Sequence, residues 1–474
     1  MTTLGQAIKN TTTTWNNDIT FKSSTDAVVD LFYKIGSMRN LPEQDIQPLV
    51  SAALNQDPYL TGKVLLWARD CRGGAGERRV FHVGMQVIDL EQAKKMIRKL
   101  AEVGTWKDVI EYAKYDATFE VAIAEIQSGL EAGECCQLVA KWLPRKGELA
   151  AKIRAGLGLS PKQYRKTLVN LSNTVEQNMC AKQWQEIKYE HVPSLAMKKY
   201  HKAFDRHDPT RFTAYKSAAS KGEAKMNAGQ LFPYDIVSQV PYSYGHYMTN
   251  HYPNVDRNLL NAQWRNLPDY MAGSKENIIT VVDTSGSMIS PVAGKVRAMD
   301  VAVSLGLYTA MNSEGIFKNK MITFNANPSW IELNTNDIFT AVQGVRKAPW
   351  GMNTDIRKTY QMILKAGVAH KVPEAQMPTT ILIVSDMQFD WGVSGQTAME
   401  DMRQAYADAG YKMPKVVFWN VNGGGRGVPA KSCDFDVGLV SGFSPSNFKA
   451  ILNGKDFTPR GIMLQTVDVP RYDY

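Results

Sequence analysis

Cysteine and histidine are scarce in this chain, and long apolar runs are missing. Five cysteines and seven histidines occur among 474 residues. The cysteines (Cys71, Cys135, Cys136, Cys180 and Cys433) are odd in number and keep no zinc-ligand spacing. That argues against a disulfide framework or a structural zinc cluster, and reads as reduced thiols in the cytoplasm. The histidines are scattered, with no His-rich cluster or Glu/His pair of the kind a hydrolytic metal centre uses. No apolar run approaches the length that spans a bilayer, so no membrane is expected. The opening residues Met1-Thr2-Thr3-Leu4 run into Thr11-Thr12-Thr13-Thr14 without an apolar segment, so no secretory signal is expected.

Acidic residues are short in one stretch. The whole chain carries 55 Lys and Arg against 46 Asp and Glu, a formal charge of +9. Residues 141–225 alone hold 18 basic side chains against 7 acidic ones. They include Lys141, Arg145 and Lys146 around Trp142, Lys162, Arg165 and Lys166 around Tyr164, and Lys198, Lys199 and Lys202 around Tyr200. Cations beside flat rings suit phosphates and unstacked bases, so this region is a candidate surface for single-stranded nucleic acid. The competing reading is a solvated, lysine-rich helical face.

The strongest chemical signal lies further on. Ile278-Ile279-Thr280-Val281-Val282 reads as a buried parallel strand and ends in Asp283-Thr284-Ser285-Gly286-Ser287. One carboxylate and two hydroxyls at the carboxyl end of a strand suit a hard divalent cation that keeps several waters. Thr354 stands in a loop before the helical pattern from Ile356, and Asp386 closes a second buried-strand pattern, Thr379 to Ser385. Asp283, Ser285, Ser287, Thr354 and Asp386 form one candidate set for a divalent cation.

Strand and helix signals alternate from Asn277 onward, as in a parallel sheet with helices on both faces. Strands are expected at Lys320 to Asn325, Trp330 to Leu333, Ile381 to Val384, Lys415 to Val421 and Phe435 to Val440. Helices are expected at Val292 to Met311, Phe339 to Val345, Ile356 to Ala369, Thr397 to Ala409 and Ser446 to Leu452. Before Asn277 the pattern is helical: Ala27 to Met38, Leu60 to Arg69, Met85 to Leu100, Trp106 to Tyr115 and Ala117 to Leu130. Gly, Pro and Asp punctuate it at the rhythm of stacked helix pairs, which suggests a HEAT-like solenoid. The chain therefore reads as multidomain, α plus α/β: helical over 1–244, a crossing over 245–276, and α/β over 277–474.

Arg69-Asp70-Cys71-Arg72-Gly73-Gly74-Ala75-Gly76-Glu77-Arg78-Arg79 is a run of glycines between arginines. Glycines flanked by arginines can cradle phosphate, but the motif follows a helix and lacks the Gly-Lys-Ser/Thr ending of a nucleotide loop. A tight helix–helix turn with an internal Arg/Glu bridge is the simpler reading, with Arg72, Arg78 and Arg79 as candidates at an RNA-facing rim.

The five metal candidates resemble the metal-ion-dependent adhesion site of von Willebrand factor A domains. The resemblance implies Mg²⁺ approached by the serine and threonine hydroxyls, with an open position for an oxyanion such as a partner's carboxylate. The helical segments Phe32 to Arg39, Arg69 to Arg78 and Trp106 to Asp108, with Thr458 to Leu464 and Pro470 to Asp473 at the other end, are similar to an uncharacterised microbial and viral family of intracellular A-domain proteins. More distantly the architecture resembles the TROVE-domain Ro, telomerase-associated and vault proteins. That likeness implies a ring of helical repeats that binds small non-coding or single-stranded RNA as a ribonucleoprotein; the lack of a positioned base or His cluster near the metal loops favours binding over enzymatic activity. Two other readings are a Mg²⁺-dependent protein scaffold that partners an AAA+ ATPase, and, ranked last, a metal-dependent nuclease using Asp355 or Asp390.

Overall fold

The computed structural model describes residues 10–13, 19–133, 136–172, 174–242, 255–274, 276–324, 327–348, 356–387, 394–422, 427–453 and 456–474. Short helices build the first half, after a small antiparallel pairing of Thr11–Thr13 with Ile19–Phe21. Those used below are α1 (Ala27–Ile35), α2 (Pro58–Arg69), α3 (Arg78–Met85), α4 (Trp106–Tyr112), α5 (Cys136–Trp142) and α6 (Pro161–Leu171).

Their starts follow from side-chain caps. Asp26 accepts from the amides of Val28 and Val29 at the head of α1, and Asp57 accepts from Leu60 at the head of α2. Ser160 and Gln163 form a reciprocal cap on α6. The single helix expected over Met85 to Leu100 is two: α3 ends at Met85, and Leu90–Val103 begins afresh on Asp89, which accepts from Gln92. The stretch read as a crossing contains a helix, Arg257–Arg265, packed against Pro209–Lys221. Residues 243–254 lie outside the described residues.

The second half holds a six-stranded sheet: β1 (Ile278–Asp283), β2 (Lys320–Phe324), β3 (Trp330–Glu332), β4 (Thr380–Ser385), β5 (Lys415–Asn420) and β6 (Val437–Ser441). The spatial order is β6-β5-β4-β1-β2-β3, with only the edge strand β3 antiparallel. The order reverses between β1 and β4, and at such a switch point an open α/β sheet forms its binding crevice. Helices α7 (Ala298–Asn312), α8 (Ile356–Ala369) and α9 (Pro459–Val467) belong to this half. The helix expected from Val292 begins only at Ala298, because Pro291–Ala293 and Val296–Arg297 pair antiparallel about Gly294, whose φ of 56° favours glycine.

Alternation along the strands divides the sheet into two faces. Ile279, Val281, Ile381, Ile383, Val416 and Phe418 point into one cluster, with Tyr360 and Tyr406. Val282, Leu382, Val384, Val417, Trp419 and Val440 point into the other. That second face shares one continuous apolar core with the N-terminal helices, from Val28 and Phe32 through Leu66 and Phe81 to Ile126.

Polar ties reinforce the joint. Helix α1 ends against β6, where the Gly36 amide donates to Ser441 Oγ at 3.1 Å. A Cβ on Gly36 would stand 2.5 Å from Gly442 Cα, so the two backbones meet where only glycine fits. Arg346 and Asp300 form an ion pair with both side chains 3% exposed. Arg346 also donates to the Val240 carbonyl at 2.7 Å. At the other end of the chain, the Tyr472 hydroxyl donates to Asp70 at 3.0 Å, and Arg471 pairs with the same buried carboxylate.

Candidate metal centre and basic surface

Register brings the acids together. Val282 of β1 lies opposite Val384 of β4, so Asp283 and the Ser385-Asp386 pair emerge side by side at the carboxyl ends of neighbouring parallel strands. Asp283 is 2% exposed, Ser285 8% and Asp386 fully buried. The Ser285 amide donates to Asp283 Oδ1 at 2.8 Å, and the Ser385 hydroxyl donates to Asp283 Oδ2. Ser285 Oγ and Ser287 Oγ lie 3.0 Å apart. Met387, next after Asp386, has φ +60°, an uncommon conformation that turns the chain sharply at the site. Thr354, with Asp355 and Asp390, lies outside the described residues; four of the five metal candidates converge.

These groups suit a divalent cation. Burial pushes the Asp283 carboxyl up from its ordinary value, although hydrogen bonds from Ser385 and Ser285 pull the other way. Among the described residues no Lys, Arg or His forms an ion pair with it. A buried carboxylate needs compensating positive charge to stay ionised. Carboxylate and hydroxyl oxygens are the hard donors that Mg²⁺ prefers. Among the described residues no three His, Cys, Asp or Glu gather in a way that could hold a metal, so a cation here depends on the hydroxyls. Sequence reading missed Ser385, which orients Asp283; the Val384-Ser385-Asp386 strand end was its signal.

The basic candidates separate into two groups. Arg72 donates to the carbonyls of Glu102 and Gly104, at 2.8 and 3.0 Å. Arg79 donates to Leu41 at 2.6 Å, and Arg78 pairs with Asp108 at 2.8 Å. Lys141 pairs with Glu176 at 2.7 Å and Lys198 with Asp235 at 2.6 Å, while Arg145 donates to Ser172 at 3.3 Å. These side chains hold one helix to the next. By contrast Lys146, Lys162, Arg165, Lys166, Lys199 and Lys202 are exposed and make no ion pair among the described residues. Lys199 lies over the Tyr200 ring at 5.0 Å.

The Arg/Gly motif is a structural hub, as its simpler reading expects, but its bridges reach outside the turn. Glu77 pairs with Arg39, and Asp70 with Arg471. A Cβ on Gly74 would meet the Trp67 carbonyl at 2.0 Å, which accounts for the glycine. Behind the turn lies a cluster that sequence reading missed. Asp108, fully buried, accepts from Arg69, from Arg78, and from the Thr105 hydroxyl at 2.8 Å. His82 Nε2 is 3.1 Å from Asp108, and Nδ1 is 3.0 Å from the Tyr112 hydroxyl. Burial opposes ionisation of Asp108, but hydrogen bonds from His82, Arg69 and Thr105 outweigh it and hold the carboxyl well below the usual carboxylate range. A cavity of about 900 Å³ opens beside this cluster, lined by Arg78, Arg79, His82, Tyr112 and Tyr115. The metal candidates are absent from its walls.

The fold and site define a chain of two parts, a helical half and an α/β half whose sheet ends in buried acids and hydroxyls. Residues 14–112 and 137–275, just over half of the chain, match the family described as Domain of unknown function (DUF2828), and the chain belongs to that family. Residues 277–468 match a second family, Domain of unknown function (DUF7788). The chain is 27% identical over 514 aligned residues to uncharacterised protein L728 of Acanthamoeba polyphaga mimivirus, covering 96% of this chain and 87% of that one. Among solved structures it is similar to the Ro (RSR) protein of Deinococcus radiodurans, at 13% identity and a TM-score of 0.45, over 94% of this chain and 100% of that one.

Proposed function

We propose that the chain is a non-enzymatic RNA-binding protein whose α/β half is a von Willebrand A-type domain carrying a Mg²⁺ site. The helical half is a HEAT-like stack that presents single-stranded or small non-coding RNA with a basic surface. The observation that carries the RNA reading is the set of exposed lysines and arginines on α6 (Lys162, Arg165 and Lys166), which hold no acidic partner among the described residues. Cations kept out of ion pairs are available to phosphates.

In the metal site Asp283, Ser285, Ser287 and Asp386, with Thr354, would hold the ion. Bound Mg²⁺ would supply a positive centre with a position open to a carboxylate or phosphate. The hydroxyl-rich donor set favours capture of such a group over hydrolysis, which calls for a positioned base or a second ion. We place the protein in the cytoplasm, on its unpaired cysteines. Among the described residues no helix is long and apolar enough to cross a membrane.

A Mg²⁺-dependent protein scaffold without RNA is the second reading. It is favoured by the structural employment of Arg72, Arg78 and Arg79, which removes the Arg/Gly turn as a free cationic rim. RNA affinity measured against salt separates the two. Lys162→Glu, Arg165→Glu and Lys166→Glu together should weaken single-stranded RNA binding and flatten the slope of log K against log salt by up to about 2. An unchanged slope would remove α6 from the surface. Failure of the wild type to bind RNA in a salt-dependent way would leave the scaffold reading.

A further inference from the structure

We infer that Trp142 is a stacking platform for an unpaired nucleobase, bordered by the ammonium groups of Lys107 and Lys141. The inference rests on the RNA-binding reading and names both the strand type and the contact. Trp142 closes α5 and is 40% exposed. Leu138, one turn earlier on the same helix, is 44% exposed. Lys107 Nζ, from α4, lies 3.7 Å from the indole centroid, and Lys141 Nζ lies 5.4 Å from it. The closer lysine comes from a different helix, so the arrangement is made by the fold and not by chain neighbours.

The surroundings continue the pattern. The turn after α5 exposes Arg145 and Lys146. The Tyr164 hydroxyl donates to the Pro144 carbonyl at 3.0 Å and fastens α6 to that turn. Helix α6 packs against α5 and carries Lys162, Arg165 and Lys166. An exposed ring beside the exposed cations of Lys146, Lys162, Arg165 and Lys166, which make no ion pair among the described residues, offers a base one face and its flanking phosphates counter-charge, the two elements of a single-strand site. A duplex keeps its bases stacked on one another and could use only the cations. An acidic protein surface would likewise gain from the lysines and little from the ring.

The test compares wild type, Trp142→Ala and Trp142→Phe, all full-length and matched in melting temperature. Each is titrated with labelled oligo(U) and with an RNA duplex of equal length. Trp142→Ala should lower oligo(U) affinity roughly 5- to 100-fold. Trp142→Phe should recover most of that loss, and duplex affinity should stay at the wild-type value. Normal oligo(U) binding by Trp142→Ala would overturn the stacking role while leaving the RNA reading in place. Equal losses on oligo(U) and duplex in both variants would also overturn it, because the ring would then act through the patch as a whole. No binding of either probe by the wild type would remove the RNA reading itself and the inference with it.

Discussion

At the scale of single residues, two buried aspartates are handled in opposite ways. Asp108 is surrounded by Arg69, Arg78, His82 and Thr105, and its pKa is held down. The unfolded chain then binds more protons than the folded one from the ordinary aspartate value of about 3.9 downward. Its contribution is therefore full above pH ~4 and is lost as acid carries the pH through the folded pKa. Asp108→Asn should flatten that limb of a melting-temperature profile between about pH 2 and 5, and an unchanged limb would show that other groups set it. Among the described residues no Lys, Arg or His pairs with Asp283, and burial raises its pKa. Mg²⁺ should raise the melting temperature of the wild type, by about 2.7 kcal/mol of stability at one hundred times Kd. The shift should vanish in Asp283→Ala and shrink as the pH falls and the carboxyl takes a proton. A wild type indifferent to Mg²⁺ would refute the metal centre.

At the scale of elements, the buried strands were legible because both faces of a parallel strand must be apolar: Ile278 to Val282 and Ile381 to Val384 have no other reading as neat. Their closing residues, Asp283 and Asp386, followed from the same pattern. Helix ends set by local backbone pairing were harder to read, as at Ala298, where a small strand pairing about Gly294 delays the helix. Partners of basic residues were illegible altogether: Lys141 meets Glu176 only because two helices pack. The Gly36–Gly442 approach likewise joins residues from opposite ends of the chain. Gly36→Ala should push α1 off β6 and cost about 1–3 kcal/mol, read as a lowered denaturant midpoint; an unaltered midpoint would mean the joint yields freely.

At the scale of the whole molecule, helices and sheet are bound by one apolar core, by the Arg471–Asp70 pair that spans the chain, and by Arg346, which pairs with Asp300 and donates to the Val240 carbonyl. The Arg346–Asp300 pair is central, and Arg346→Met, which leaves a buried carboxylate, should cost about 3–5 kcal/mol. The loss should appear in a single cooperative transition reported alike by probes in both halves. Two separated transitions would show that the halves unfold independently.

The proposed function stands on RNA held at the exposed cations. The most direct measurement is sequencing of nucleic acid crosslinked to the protein in its native cell, beside the Lys162→Glu/Arg165→Glu/Lys166→Glu variant. A small set of RNAs should be enriched with the wild type and depleted with the variant. Recovery of no RNA above background, or of the same RNAs with both proteins, would contradict it.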